Sequence, residues 1–89
     1  MKKVDLVVTG RVQGVFYRYF AKKEANKLNI KGWCRNEKDG SVHIVAGGQE
    51  ENIDKFIEWA KQGSPLAKVE NVEVNENIIE NIEGDFEIR

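Results

Sequence analysis

Apolar residues occupy every second position along residues 4–9. This period of two predicts a β-strand, which Gly10 is expected to end. From Phe16 to Leu28 the apolar residues instead recur at spacings of three and four, a pattern typical of an amphipathic helix. The chain is therefore predicted to begin with a strand that is followed by a helix.

The middle of the chain carries a hairpin signal. Residues 33–36 have the pattern of a short strand, and the Asp-Gly pair at 39–40 is typical of the tight turn between two antiparallel strands. The return strand is expected over residues 41–46, with the glycine pair at 47–48 breaking it.

A second helix is predicted by the apolar stripe within residues 53–60, and it is expected to end at Gly63. Val69 begins a strand pattern that ends near Asn77, and residues 86–88 add a short final strand.

The order strand, helix, strand, strand, helix, strand predicts an α+β fold of the split βαβ type. In this two-layer sandwich both helices pack on one face of an antiparallel sheet, because right-handed crossovers leave few other windings. On the other face Val7, Val45 and Trp33 either need cover or stay exposed, and the pattern does not assign them.

The composition fits a single domain that spans residues 1–89, with 40% hydrophobic residues and 33% charged residues. Cys34 is the only cysteine, which excludes an internal disulfide framework and a multi-cysteine zinc site and favours a reducing cytoplasm. No apolar run approaches the roughly 18 residues that cross a bilayer, so neither membrane insertion nor secretion is expected.

The net charge of -1 provides no overall attraction to nucleic acid or anionic lipid. Residues 1–45, however, hold ten Lys and Arg against four Asp and Glu, whereas residues 46–89 hold four against eleven. Any anion site is therefore expected in the first half of the chain.

The segment from Thr9 to Arg18 joins the first strand to the first helix through Gly10 and Gly14. Unpaired N–H groups at a helix N-terminus can converge on an anion, and Arg18 can bind two oxygens of a phosphate or carboxylate. A phosphate cradle fits this spacing, although for the glycine pattern alone the favoured interpretation is that Gly10 and Gly14 only turn the chain and that Arg18 is solvated. The segment lacks the Walker and dinucleotide fingerprints, so ATP and NAD sites are not predicted.

Two longer segments carry a family resemblance. Residues 10–18, G-R-V-Q-G-V-F-Y-R, resemble the first signature of the acylphosphatase family, and residues 32–48, G-W-C-R-N-E-K-D-G-S-V-H-I-V-A-G-G, are similar to its second. The likeness continues through S-P-L-A-K-V at 64–69 to F-E-I-R at 86–89 and is weak only over residues 75–84.

This resemblance implies a ferredoxin-like fold that hydrolyses acyl phosphates to a carboxylate and inorganic phosphate without a metal or organic cofactor. Arg18 falls on the family's phosphate-binding arginine and Asn36 on the asparagine that holds the attacking water, so these two are the expected catalytic residues. Tyr17 replaces the usual Phe or Met, and its hydroxyl needs a hydrogen-bond partner if it is buried. The expected phosphate-binding residues are Gln13, Gly14, Val15, Phe16, Tyr17 and Arg18.

The substrate chemistry fits the lack of an acid or base in both motifs. A leaving carboxylate has a conjugate acid with a pKa near about 4, so it needs no general acid at neutral pH. Phosphoryl transfer depends mainly on positioning and charge neutralisation. The amide of Asn36 can orient a water, and our hypothesis is that the substrate phosphate itself accepts the water's proton.

The remaining polar residues have plainer interpretations. His43 is expected on a strand surface, because the chain has no second His to complete a metal set. Cys34 is expected to serve packing, since neither motif uses a thiol. The glutamates of the C-terminal third are expected to form a solvated face.

Two alternative functions stay open. A module that binds acyl or carbamoyl phosphate without turnover fits the same motifs, although a chain that begins at Met1 and ends soon after its last strand favours a standalone enzyme. RNA-recognition modules share this architecture, but residues 40–46 lack the aromatic side chains that contact RNA. The expectation is a cytoplasmic monomer that binds acyl phosphate and inorganic phosphate but neither nucleic acid nor a membrane.

Overall fold

The computed structural model describes residues 1–76 and 78–89. Its strands and helices follow the predicted order, and they include the short final strand that was expected over residues 86–88. They are β1 (Lys2–Arg11), α1 (Tyr17–Lys27), β2 (Lys31–Asn36), β3 (Val42–Gly48), α2 (Glu50–Gln62), β4 (Lys68–Asn75) and β5 (Glu87–Ile88).

The strands form one sheet in the order β4-β1-β3-β2-β5. The three pairs among β1 to β4 are antiparallel, as predicted, but β5 lies parallel to β2. The sheet is therefore mixed, and the expectation of a purely antiparallel sheet is wrong at this edge. The reason is that the chain returns to β2 after β4, and pairing alongside β2 gives the final residues backbone partners.

Both helices pack on the same face of the sheet, which confirms the predicted two-layer α+β sandwich. Val4, Leu6 and Val8 of β1 point to this side and are fully buried. The helices cover them with residues spaced three or four apart, so that each helix buries one face. These core residues are Tyr17, Ala21 and Ala25 of α1 with Ile53, Phe56 and Ala60 of α2.

The opposite sheet face, which the sequence pattern left unassigned, is partly covered by residues 78–84. Trp33 and Val45 lie on it and are buried, whereas Val7 is half-buried. The Trp33 indole N–H donates a hydrogen bond to the Glu80 carboxylate at 2.6 Å. This segment thus shields apolar side chains that two helices on one face cannot reach.

The predicted strand break at Gly47 and Gly48 is wrong, because both residues belong to β3. Gly47 pairs with Lys3 of β1 and with Lys31 of β2, so its backbone is held from both sides. A Cβ at Gly47 would lie 3.1 Å from the Ile82 side chain. Glycine here allows the covering segment to approach the sheet closely.

The predicted boundaries of the other elements need small adjustments. The first helix begins one residue after Phe16 and ends one residue before Leu28. The strand that was expected to end near Asn77 ends at Asn75, and Asn77 itself lies outside the described residues.

Candidate active site

The loop between β1 and α1 turns sharply at its last three residues. Gly14 has a φ of 74° and Phe16 a φ of 61°, so both lie in the left-handed region. An added Cβ at Gly14 would meet no atom within 4 Å, which shows that the backbone angle and not space favours glycine there. These turns direct the chain into α1 with Phe16 as its N-cap residue.

The N-terminus of α1 has free hydrogen-bond donors. The first helical hydrogen bond runs from the Phe20 N–H to the Phe16 carbonyl at 3.1 Å. The N–H groups of Tyr17, Arg18 and Tyr19 precede it and have no partner inside the helix. The Phe16 side chain makes no capping hydrogen bond, and the first turn contains no acidic residue. This end of α1 therefore favours an anion.

Arg18 lies half-buried in the first turn of α1. Its Nη1 donates a long hydrogen bond of 3.4 Å to the backbone carbonyl of Arg89. Within residues 1–76 and 78–89, no Asp or Glu side chain comes within ion-pair distance of the guanidinium. The guanidinium is thus available to a bound anion.

Asn36 is the last residue of β2 and is exposed. It pairs with Val42, a residue of the sheet face that carries the helices, so Asn36 belongs to that same face. It lines a cleft of about 300 Å³ together with Arg18. The complete lining is Val12, Gly14, Phe16, Tyr17, Arg18, Tyr19, Asn36 and Ile88.

Most of the residues that the sequence singled out meet at this cleft, but Gln13 and Val15 do not line it. The Gln13 side-chain amide instead donates to the carbonyls of Glu37 and Ser41, at 2.8 and 2.9 Å. Val15 is buried, and its carbonyl accepts a hydrogen bond from the Ser64 hydroxyl at 2.7 Å. Both residues anchor the loop to neighbouring elements.

The link through Gln13 matters for geometry, because Glu37 directly follows Asn36 in the β2–β3 hairpin. Gln13 therefore ties the loop on one side of the cleft to the hairpin on the other. The sequence motif contained Gln13 but gave no indication of this cross-link, since its partners are carbonyls 24 and 28 residues away.

The Tyr17 hydroxyl has the buried partner that the sequence required. The side chain is 1% exposed, and the hydroxyl donates to the Ala60 carbonyl at 2.8 Å. Burial, with a smaller effect of Cys34, raises the pKa of Tyr17 well above its usual value. Tyr17 therefore stays neutral and contributes structure at the base of the cleft.

Cys34 and His43 occupy the environments that the sequence suggested. Cys34 is fully buried, and its burial raises the pKa of the thiol to about 12 against the opposing positive charges of Arg18 and Lys22. His43 lies on the sheet face away from the helices, where its Nε2 is 2.6 Å from the Asp5 carboxylate.

Three residues of the cleft, Val12, Tyr19 and Ile88, are not among the site residues that the sequence predicts. Tyr19 directly follows the motif that ends at Arg18, so its exposed position in the first helical turn was the available signal. Ile88 had no local signal, because its place depends on the parallel pairing of β5 with β2.

Two further features of the described residues bear on function. They contain no group of three or more His, Cys, Asp and Glu that is placed to hold a metal ion. Neither described helix has the length and apolar character needed to cross a bilayer.

Comparison with known proteins identifies relatives of this chain. The family model described as Acylphosphatase matches residues 4–88. An acylphosphatase from Archaeoglobus fulgidus is 47% identical over 88 residues, which cover 99% of this chain and 98% of the relative. The crystal structure of acylphosphatase from Bacillus subtilis superposes with a TM-score of 0.92 at 40% identity, covering 100% of this chain and 99% of that one. A HypF structure from T. kodakarensis gives a TM-score of 0.85 at 33% identity, but the match covers only 12% of that chain.

Proposed function

Because this chain belongs to the acylphosphatase family and hydrolyses acyl phosphates, we propose that Arg18 and the loop before α1 bind the phosphate and that Asn36 positions the attacking water. The observation that carries this proposal is the common cleft, which Arg18, Asn36 and the N-terminus of α1 line together. The family match over residues 4–88 favours this enzymatic function over a module that only binds phosphate.

Phosphate binding draws on two kinds of donor. The N–H groups that precede the first helical hydrogen bond can each donate to a phosphate oxygen, and the loop residues Gly14 and Phe16, which also line the cleft, complete the cradle. The guanidinium of Arg18 can bind two of the same phosphate oxygens in parallel, because no Asp or Glu side chain of the described residues pairs with it. Together these groups neutralise charge on the equatorial oxygens as the transition state develops.

The water is held from the opposite side of the cleft. The side-chain amide of Asn36 can accept one hydrogen bond from a water and donate another, which orients the water toward phosphorus. The water oxygen forms a bond to phosphorus while the bond from phosphorus to the acyl oxygen breaks. The acyl group leaves as a carboxylate, and the water's proton passes to a phosphate oxygen, so that inorganic phosphate is released.

The wider properties follow from the same interpretation. We propose that residues 1–89 act as one cytoplasmic, monomeric domain that needs no metal or organic cofactor and binds neither nucleic acid nor a membrane. Inorganic phosphate then acts as a competitive inhibitor, because it occupies the cradle that holds the substrate phosphate. The family membership and the charge of -1 support this set of properties.

The test is phosphate release from benzoyl phosphate in the presence of a chelator. We expect Arg18→Ala to lower kcat/KM by roughly 10³ to 10⁵, as is typical for a transition-state arginine, and to abolish inhibition by phosphate. Asn36→Ala should lose most of its kcat while phosphate remains a competitive inhibitor. Asn71→Ala, which removes an exposed amide on β4, serves as the matched control.

Two results would contradict these roles. An Asn36→Ala variant that loses phosphate inhibition to the same degree as Arg18→Ala would place Asn36 in the cradle and not at the water. Full dependence of wild-type turnover on an added metal ion, abolished by the chelator, would overturn the cofactor-free mechanism. Circular dichroism of each variant checks that the loss does not arise from unfolding.

A further inference from the structure

Tyr19 and Ile88 line two neighbouring clefts. One is the candidate active site, and the other, of about 410 Å³, follows the exposed side of α1. The second cleft, which we call the α1 groove, is lined by Tyr19, Lys22, Lys23, Asn26 and Ile88. Since the same two side chains border both clefts, the groove continues directly from the site of Arg18.

The α1 groove begins with apolar surface. Tyr19 is 57% exposed and Ile88 is 41% exposed, so both offer uncovered apolar atoms. In β5, Ile88 pairs with Cys34 on the helix side of the sheet, whereas Glu87 pairs with Trp33 on the opposite side. This alternation keeps the Glu87 carboxylate out of the groove, and none of the lining residues is acidic.

Beyond the apolar surface the groove is positively charged. Lys22 and Lys23 are exposed, and neither forms an ion pair with another residue in the described parts of the chain. Lys22 follows Arg18 by four residues, which places it on the same side of α1 and about 6 Å further along the axis. The positive charges of Arg18 and Lys22 both act to lower the pKa of the Cys34 thiol, which agrees with their position on the same side of α1.

We propose that the α1 groove binds the acyl chain of the substrate and selects chains that end in a second anionic group. This inference rests on the proposed binding of the substrate phosphate at Arg18. With the phosphate held there, the methylene groups of the chain contact Tyr19 and Ile88, and a distal carboxylate or phosphate reaches the ammonium groups of Lys22 and Lys23. The preferred substrates are thus acyl phosphates of dicarboxylic or phosphorylated acids.

The experiment compares two substrates of equal chain length. Glutaryl phosphate has a distal carboxylate that is ionised at neutral pH, whereas pentanoyl phosphate ends in a methyl group. We expect kcat/KM of the wild type to be about five- to tenfold higher for glutaryl phosphate, and this ratio to shrink as salt screens the lysines. In the double variant Lys22→Gln/Lys23→Gln the ratio should approach one. Lys55→Gln, which removes an exposed charge from α2, should retain the wild-type ratio.

The outcomes distinguish a failure of the proposed α1 groove from a failure of the proposed phosphate site. A wild-type ratio near one, or a ratio that survives in the double variant, overturns the role of the α1 groove. If either result is found while Arg18→Ala still loses most of its activity on pentanoyl phosphate, the phosphate site is supported and only the role of the α1 groove is wrong. If Arg18→Ala hydrolyses pentanoyl phosphate at the wild-type rate, the proposed phosphate site is itself wrong and the groove loses its basis.

Discussion

Phe16 combines a left-handed backbone with an exposed side chain at the entrance to α1. Its φ of 61° and ψ of 23° lie in a region that costs a non-glycine residue about 1–2 kcal/mol. The side chain is 71% exposed and so gains little from packing. Strained backbone of this kind is concentrated at functional sites. Here it stands next to the N–H groups of α1 that have no partner within the helix.

Replacing Phe16 with glycine should relieve this strain. We expect Phe16→Gly to raise the free energy of unfolding by about 0.5–1 kcal/mol, less than the full strain because glycine also gains entropy in the unfolded chain. Urea denaturation measures the change. Asn29→Gly is the control, because Asn29 has a φ of 55° but asparagine tolerates this conformation better. A clear destabilisation in Phe16→Gly would show that the exposed ring contributes more than the backbone strain costs.

Gln13 connects the phosphate loop to the hairpin that carries Asn36, through its two hydrogen bonds to backbone carbonyls. Gln13→Ala should keep the backbone of the cradle but let the hairpin move. Since a displacement of about 1 Å can lower a rate about 10²-fold, we expect kcat for benzoyl phosphate to fall roughly 10- to 100-fold. Inhibition by inorganic phosphate should change much less than kcat.

Lys38→Ala provides the control for Gln13→Ala, because Lys38 is an exposed residue of the same hairpin with a side chain that points to solvent. It should retain wild-type kinetics. A folded Gln13→Ala protein with unchanged kcat would mean that the hairpin holds Asn36 in place without the cross-link.

At the scale of elements, α1 and α2 are joined by a buried hydrogen bond. The Tyr17 hydroxyl donates to the Ala60 carbonyl, which belongs to the last turn of α2. Carbonyls in the last four positions of a helix have no helical partner. Tyr17 therefore satisfies an acceptor that water does not reach, and this explains why a tyrosine is compatible with a position that is otherwise apolar.

Tyr17→Phe should destabilise the protein by about 1–2 kcal/mol, because it leaves the buried Ala60 carbonyl without a partner. Denaturant unfolding measures this loss. Tyr19→Phe removes the same atom from an exposed ring, and its free energy of unfolding should stay within about 0.5 kcal/mol of the wild type. Equal losses in both variants would mean that the hydroxyl of Tyr17 stabilises the protein in some other way.

The elements that the sequence predicted well are those whose pattern comes from a single buried face. The alternation of apolar residues in β1 and their spacing in α1 and α2 directly reflect contact with the core, so these elements could be predicted from the sequence. The glycine pair at 47–48 was misread because pairing with β1, and at Gly47 also with β2, overrides the local preference of glycine. The final strand was expected over residues 86–88, but its parallel pairing with β2 was not foreseeable, because the residue pattern of so short a strand does not indicate its direction in the sheet.

The same distinction applies to the candidate site. Arg18, Asn36 and the loop before α1 could be proposed from local motifs, and the fold brings Arg18, Asn36 and most of that loop to one cleft. The contributions of Gln13 and Ile88 depend on contacts between segments that are distant in sequence. A single sequence does not reveal such contacts, because the partner atoms are backbone groups or the edge of a short strand.

Across the whole molecule, the basic first half and the acidic second half of the sequence differ in where they lie relative to the clefts. Every residue that lines the candidate active site and the α1 groove comes from the basic first half of the chain, except Ile88. Glu70 and Glu73 lie on β4, at the opposite edge of the sheet from β2 and β5. A net charge of -1 therefore coexists with a positive cleft that can attract anionic substrates.

The burial of Cys34 and Tyr17 also governs how the whole protein responds to alkaline pH. Both groups have raised pKa values in the folded state, the thiol to about 12, whereas their unfolded values are about 8.5 and 10. At a pH between the unfolded and the folded pKa of either group, the unfolded chain has lost a proton that the folded chain keeps. Since stability rises with pH only where the unfolded state binds more protons, stability must fall here as the pH increases.

The thiol begins this decline, because its unfolded pKa is the lower of the two. A fully shifted group contributes about 1.4 kcal/mol per pH unit, so between pH 8.5 and 10.5 the wild type should lose about 2 kcal/mol more than Cys34→Ala. Urea denaturation of both proteins across this range measures the two slopes, and comparing slopes cancels the packing cost of the substitution. Parallel slopes would mean that the thiol ionises as readily in the folded protein as in the unfolded chain, and that its burial does not hold the proton.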